Sequence, residues 1–284
     1  MDKKRVTELS IIANNVRKHA LTAVYSAASG HPGGSLSVAD VLTLLYFEVM
    51  NVDPKNPKME DRDRFVLSKG HTAPALYGVL AEKGFFDREW LFTLNDGGTK
   101  LPSHPDRLKT PGVDMTTGSL GQGTSAAAGI ATGFKMNKTD QYVYLIVGDG
   151  ELNEGQCWEA FQYIAHYKLN HCVVIIDDNK KQLDGTTKEV MNPFSIENKM
   201  KAFGFYTQTV KGNDEEAIDE AINRAKNVKD QAVCIILDSI KGAGVPYFEQ
   251  LDANHSVKFN NDTIKKATKD AIKELDEFIK GGAR

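Results

Sequence analysis

Tyr142-Val143-Tyr144-Leu145-Ile146-Val147-Gly148-Asp149-Gly150 is the stretch on which the reading of this chain turns. Residues 142–147 form an apolar run nearly without polar alternation, the pattern of a strand covered on both faces. Gly148-Asp149-Gly150 ends the run, and a helical pattern follows over 155–168. A second apolar run, 172–176, leads to Asn179. Strand, turn, helix and strand at this spacing predict two neighbouring parallel strands whose ends bring Asp149 and Asn179 side by side. Both side chains offer oxygen, which suits a hard divalent cation such as Mg²⁺ bridging to phosphates. Gly150 removes a side chain where a diphosphate approaches the backbone. The helix starting near Gly155 adds its partial positive end.

Outward from this unit the same alternation continues. Strand-like runs lie at 64–67, 205–210 and 233–237, each nearly free of polar alternation. Helical spacing is found at 7–29, stopped by Gly30, and at 37–50, with Ser37 as its expected N-cap. Further helical patterns cover 123–136, 196–203 and 214–228. The expected fold is α/β: a mostly parallel twisted sheet flanked by helices on both faces. It spans 1–284 as a single domain, with a charged C-terminal helix at about 262–281. The loops at 29–34, 68–71, 103–106, 118–123 and 148–150 fall at element ends, and open parallel sheets gather ligands at their carboxyl edge.

Composition excludes several classes. The net charge is −3, so no basic face for nucleic acid is indicated. The longest apolar runs are too short to span a membrane, and the N-terminus lacks the apolar core of a signal peptide. Cys157, Cys172 and Cys234 are odd in number and far apart, which predicts buried thiols in a reducing cytoplasm rather than a disulfide or zinc framework. No Gly-x-Gly-x-x-Gly follows the first strand, which argues against a nicotinamide-binding fold.

Four of the seven histidines, His31, His71, His104 and His255, lie in loops, where imidazole can transfer protons near neutral pH. His19, His166 and His171 read as structural or surface residues, and Trp158 and Tyr163 as packing residues. The loops around the first group carry a family likeness. Ser29-Gly30-His31-Pro32-Gly33-Gly34-Ser35-Leu36-Ser37, Arg62 through His71, and Thr117-Gly118-Ser119-Leu120-Gly121-Gln122-Gly123 resemble the corresponding loops of transketolases. Gly148-Asp149-Gly150 followed by Asn179 matches the thiamine diphosphate signature. The resemblance runs in register from about residue 5 to 255. Departures are Asn254-His255-Ser256 in place of a common Trp-His-Gly, Lys241-Gly242-Ala243-Gly244 in place of Lys-Gly-Lys-Gly, and Ser103 ahead of His104.

The resemblance implies that the cofactors are thiamine diphosphate and Mg²⁺ (or Ca²⁺ or Mn²⁺). It implies Asp149 and Asn179 as metal ligands through their side chains, and Lys181 through its main-chain carbonyl, at a position often apolar in the family. His31, His71, His104 and His255 would line the sugar channel and carry the catalytic proton transfers. His71, Gly118, Ser119, Leu120, Gly150 and Asn179 would shape the cofactor site, and Glu154 resembles a carboxylate buried between cofactor-bearing subunits. Transketolases move a two-carbon ketol unit from a ketose phosphate to an aldose, pentose phosphates being the default substrates. A full transketolase is over twice this length. The expected partner is therefore a C-terminal, pyrimidine-binding transketolase subunit in a two-plus-two heterotetramer, and the chain alone is expected to be inactive. Competing readings are a subunit of a divided deoxyxylulose-phosphate synthase, the α-subunit of a 2-oxo-acid dehydrogenase, and a non-catalytic cofactor-binding module.

Overall fold

The computed structural model describes residues 1–282, so the last two positions of the expected 1–284 span lie outside the described residues. Five strands form one parallel sheet: β2 (Arg64–Leu67), β3 (Val143–Gly148), β4 (Cys172–Asp178), β5 (Tyr206–Lys211) and β6 (Val233–Asp238), in the order β2-β3-β4-β6-β5. Two short strands, β1 (Ser29–Gly30) and β7 (Val257–Lys258), pair antiparallel outside it.

Strand side chains alternate between two faces, and here both faces are dry. Tyr144, Ile146, Val173, Ile175 and Ile235 enter one core with the Lys3–Ser26, Ala39–Leu44, Ala73–Lys83 and Glu215–Asn227 helices. Val143, Leu145, Val147, Val174 and Ile176 enter the other, with the Gln122–Asn137, Gly155–His166 and Ile196–Ala202 helices. This two-sided burial is why the central runs show no polar alternation. Each such Val or Ile contributes about 1.5–3 kcal/mol on leaving water.

Three expectations change. β5 is not a doubly covered strand: Tyr206 to Lys211 are half-buried or exposed, because the strand sits at the sheet edge. The first helix runs Lys3–Ser26, capped by Asp2, whose carboxylate accepts from the Arg5 amide at 2.8 Å. It stops short of residue 29 because Ser29 and Gly30 pair with Lys258 and Val257. A Cβ on Gly30 would lie 2.5 Å from Val24 Cγ1, so the chain can pass only without a side chain there. Ser37, finally, caps no helix. It ends a short Pro32–Ser37 helix and is fully buried, with Oγ donating to Asp177 Oδ2 at 2.8 Å. The helical path restarts at Ala39–Leu44 and closes in a wider π turn, Leu45–Val49.

The C-terminal helix, Asp262–Gly281, buries Ile264, Ala271 and Leu275 and packs on the first helix. All three cysteines are free and buried, and burial pushes the Cys157 and Cys172 thiols up to about 12. Among the described residues no helix is long and apolar enough to cross a membrane.

Candidate active site

Every strand of the sheet points the same way, so the segments that follow β2, β3, β4 and β6 share its carboxyl edge. They bring Lys69 and His71, Asp149 and Gly150, Asn179, and Lys241 to one hollow of about 300 Å³. His31, His104 and His255 complete its wall.

Asp149 and Asn179 are drawn together by the main chain between them. The Lys180 amide donates to Asp149 Oδ2 at 2.6 Å, and the Gly150 amide to Asp149 Oδ1 at 2.8 Å. Both residues are buried. Burial, reinforced by Asp177 and Asp178, raises the Asp149 carboxyl to about 7. A carboxylate held this way favours a nearby cation, which would restore its charged form. Among the described residues no three His, Cys, Asp or Glu side chains gather as a metal cluster. A cation here would therefore rest on one carboxylate, the Asn179 amide oxygen and main-chain oxygen. That all-oxygen set fits Mg²⁺, Ca²⁺ or Mn²⁺ and not zinc.

The floor is shaped for a ligand that approaches the backbone. A Cβ on Gly150 would meet Gln182 Cβ at 2.8 Å, and one on Gly34 would meet Thr72 Cγ2 at 2.8 Å. Gln182, on the same wall, has a buried amide nitrogen without a partner, a donor left free for a bound acceptor. The residues present fit thiamine diphosphate with its cation.

Two buried lysines stand beside the site. Lys69 Nζ pairs with Asp177, which also accepts from Ser37, Ser239 and Asn179 Nδ2, the last at 2.8 Å. Burial alone would raise the Asp177 carboxyl, but the Lys69 ammonium and these donors hold it below the usual range. Lys241 Nζ donates to the Lys181 carbonyl at 3.0 Å and lies 3.1 Å from His255 Nδ1. Burial and the Lys69 ammonium bring Lys241 down to about 8.

The four loop histidines form one cluster. Ring centroids of His71 and His255 are 4.7 Å apart, those of His31 and His71 5.3 Å, and those of His31 and His104 6.2 Å. Burial first, and neighbouring charge second, lowers His31 to about 4 and His255 to about 3. His71 is held well below its ordinary value and His104 below it, burial again leading. All four are neutral imidazoles at neutral pH, able to donate from one nitrogen and accept at the other.

The hollow thus contains His31, His71, His104, His255, Gly118, Leu120, Asp149, Gly150, Asn179 and Lys181. It does not contain Ser119, which is exposed outside it, or Glu154, which is exposed in the single chain beside Gly121. The sequence reading missed Lys69, Asp177, Gln182 and Lys241. It also missed Glu151, whose buried carboxylate accepts from Ser68 Oγ at 2.5 Å and from the Gly121 and Gly148 amides at 2.8 and 3.0 Å. Asp177 and Glu151 carried one legible signal: each puts a carboxylate at or just beyond the end of an apolar run.

The family model of the transketolase thiamine diphosphate binding domain matches residues 9–276. The chain belongs to the transketolase family. It is 45% identical to the 6-deoxy-6-sulfo-D-fructose transketolase subunit SqwG of a Clostridium strain, over 92% of this chain and 95% of that subunit. It is 37% identical to one of the subunits of the apulose-4-phosphate transketolase of Phocaeicola vulgatus, over 97% and 98% of the two chains. Against the transketolase of Campylobacter jejuni the TM-score is 0.84 at 31% identity, covering 95% of this chain and 43% of that one. The chain thus spans less than half the length of that transketolase and matches two transketolase subunits nearly end to end, as an N-terminal transketolase subunit does.

Proposed function

We propose that this transketolase subunit, as a single domain, binds thiamine diphosphate through a divalent cation, Mg²⁺ by preference. With a C-terminal partner subunit in a two-plus-two heterotetramer it transfers a two-carbon ketol unit between sugars in the cytoplasm. The observation that carries this reading is one cavity lined both by Asp149 and Asn179 and by a cluster of four neutral histidines.

Bound thiamine diphosphate supplies an electron sink for the carbanion. This chain's residues do the rest. Asp149, Asn179 and the Lys181 carbonyl hold the cation, and Gly150 and Gly118 leave room for the cofactor. His31, His71, His104 and His255 hold sugar oxygens and move protons between them and solvent. Leu120 lines the cofactor's side of the hollow, and Glu154, exposed here, faces the partner.

Pentose phosphates are the default substrates of a transketolase. The likeness to a subunit named for 6-deoxy-6-sulfo-D-fructose makes a sulfonated ketose the second donor to assay. Purified alone, the chain is expected to show no ketol transfer, and mixing with the partner subunit to restore it. Full transfer by the isolated chain would refute the split assignment.

A further inference from the structure

Outside the hollow, three residues far apart in the chain meet on one oxygen. Asp40 Oδ2 accepts from the Arg17 guanidinium at 2.5 Å and from Asn213 Nδ2 at 2.8 Å. Arg17 and Asp40 are buried and Asn213 is half-buried, and none of the three lines the hollow. Each donor also holds a second segment. Arg17 Nε donates to the Ala243 carbonyl at 2.8 Å. Asn213 Nδ2 donates to the Ser37 carbonyl at 3.2 Å, and its Oδ1 accepts from the Ile240 amide at 3.0 Å. The segment 240–243, just after β6, is thus held at both ends, and both holds converge on Asp40. A planar guanidinium can direct two bonds at once in a fixed fork. Gly244 admits it: a Cβ there would stand 2.6 Å from Arg17 Nε.

The segments joined this way lead to two of the histidines. His31 opens the stretch that runs through Ser37 to Asp40. The 240–243 segment is tied to the residue before His255, because Asn254 Nδ2 donates to the Lys241 carbonyl at 3.2 Å. Main-chain bonds lace the same parts: the Gly242 amide donates to the Gly33 carbonyl, and the Gly33 amide to the Asn254 carbonyl, each at 3.0 Å. The His31 and His255 ring centroids stand 5.5 Å apart.

We propose that Arg17, Asp40 and Asn213 form a clamp that sets the separation of His31 and His255. They are positioning residues, acting through the two loops without touching substrate. That this spacing serves a sugar rests on the proposed ketol transfer. That the clamp holds the loops does not. The cation site is built separately: Asp149 and Asn179 follow β3 and β4, and Asp149 takes its bonds from the Gly150 and Lys180 amides. Loosening the clamp should therefore cost turnover and spare cofactor affinity.

The test is Asn213→Ala, which truncates a half-buried side chain and leaves the Arg17–Asp40 pair in place. In the full chain without its partner, hydrogen exchange over 239–243 should quicken about tenfold, the effect of losing one net hydrogen bond, while β3 and β4 exchange as in the wild type. In the complex assembled with the partner subunit, kcat for ketol transfer should fall about tenfold or more, as misplaced groups cause, with thiamine diphosphate affinity unchanged by calorimetry. Arg17→Lys keeps the charge beside Asp40 but not the fork, and should lose turnover in the same way. A role limited to balancing the Asp40 charge predicts instead that lysine retains wild-type turnover. Unchanged exchange over 239–243 in Asn213→Ala, wild-type kcat in either variant, or an equal loss of cofactor affinity overturns the proposal. A wild-type complex that performs no ketol transfer refutes the proposed function, and the exchange measurement still decides the clamp.

Discussion

The two edges of the sheet each carry a hollow, and the larger one is at the amino edge. It measures about 650 Å³ and is lined by Glu60, Asp61, Asp63, Asp140 and Lys226, against about 300 Å³ at the carboxyl edge. The difference lies in what the polar groups are doing. At the amino edge Asp63 accepts from the Tyr142 amide at 2.7 Å and the Asn51 amide at 2.9 Å. Gln141 Nε2 donates to the Glu60 carbonyl at 2.6 Å, with only its buried Oε1 left over, and Lys226 lies over the Tyr142 ring at 5.2 Å. These groups tie loops to strand starts. At the carboxyl edge a buried carboxyl, two buried lysines and four half-buried histidines have their charge states pushed away from ordinary values or held by a single partner. Volume does not locate the chemistry. Burial also shifts Tyr142 and Lys226 at the amino edge, but only the carboxyl-edge hollow brings a shifted carboxyl, a shifted lysine and four shifted histidines together.

The contrast can be broken by substitution. The largest stability effect is expected from Asp177→Asn at the carboxyl edge. It strands the Lys69 ammonium at 2% exposure without its counter-charge. Removing one partner of a buried pair costs about 3–5 kcal/mol, read as a fall in the urea midpoint. A loss of less than about 1 kcal/mol would mean that water reaches Lys69 and the edge is less dry than described.

Asp63→Ala at the amino edge comes next. It leaves the Tyr142 and Asn51 amides without acceptors. The expected cost is about 1–3 kcal/mol for stability, with cofactor affinity of the assembled enzyme unchanged by calorimetry. Weaker cofactor binding in this variant would put the functional edge on the wrong side.

Acid should act on the histidine cluster. His31 falls from 6.5 to about 4 on folding and His255 from 6.5 to about 3. The unfolded chain therefore binds more protons in that window, so their contribution is present above 6.5 and lost as pH falls toward 4. Asp149 and Glu215, raised by burial to about 7, act with the opposite sign in an overlapping window. The histidine part is isolated by difference: the stability gap between the wild type and a His31→Asn, His255→Asn variant should narrow on acidification. Parallel profiles would mean that these rings are not buried neutral.

Glu154→Gln should have the smallest effect on the isolated chain. Glu154 is exposed there, so the change in stability should stay within about 0.5 kcal/mol. Its effect should emerge only on mixing with the partner, as weaker assembly in analytical ultracentrifugation.

How far the sequence carried this picture varies along the chain. The central strands were legible because two-sided burial leaves a direct trace in composition: six consecutive buried residues in β3 read as an unbroken apolar run. β5 reads as a covered strand although Thr207, Gln208 and Thr209 are polar, and the fold puts it at the edge, where β-strand residues meet water on one side. Asp149 and Asn179 were legible because register sets their spacing: Gly148 faces Asp177, so Asp149 and Asn179 are the first residues past the ends of two paired strands, β4 running one residue further than β3. The pairing of Lys69 with Asp177 spans 108 positions, and that of Lys241 with His255 crosses between two loops. No local period records such contacts. Ser37 had the chemistry of a helix cap, yet its hydroxyl serves a carboxylate 140 positions away. Local propensity yields to a buried charge in need of a donor.

The most direct test is a crystal structure of the complex assembled with its partner subunit, thiamine diphosphate and Mn²⁺, read by the anomalous signal of the metal. The account predicts one manganese peak between Asp149 and Asn179 with the diphosphate bound to it. Manganese at Glu60, Asp61 and Asp63 instead, or a diphosphate bound away from Asp149 and Asn179, would contradict it.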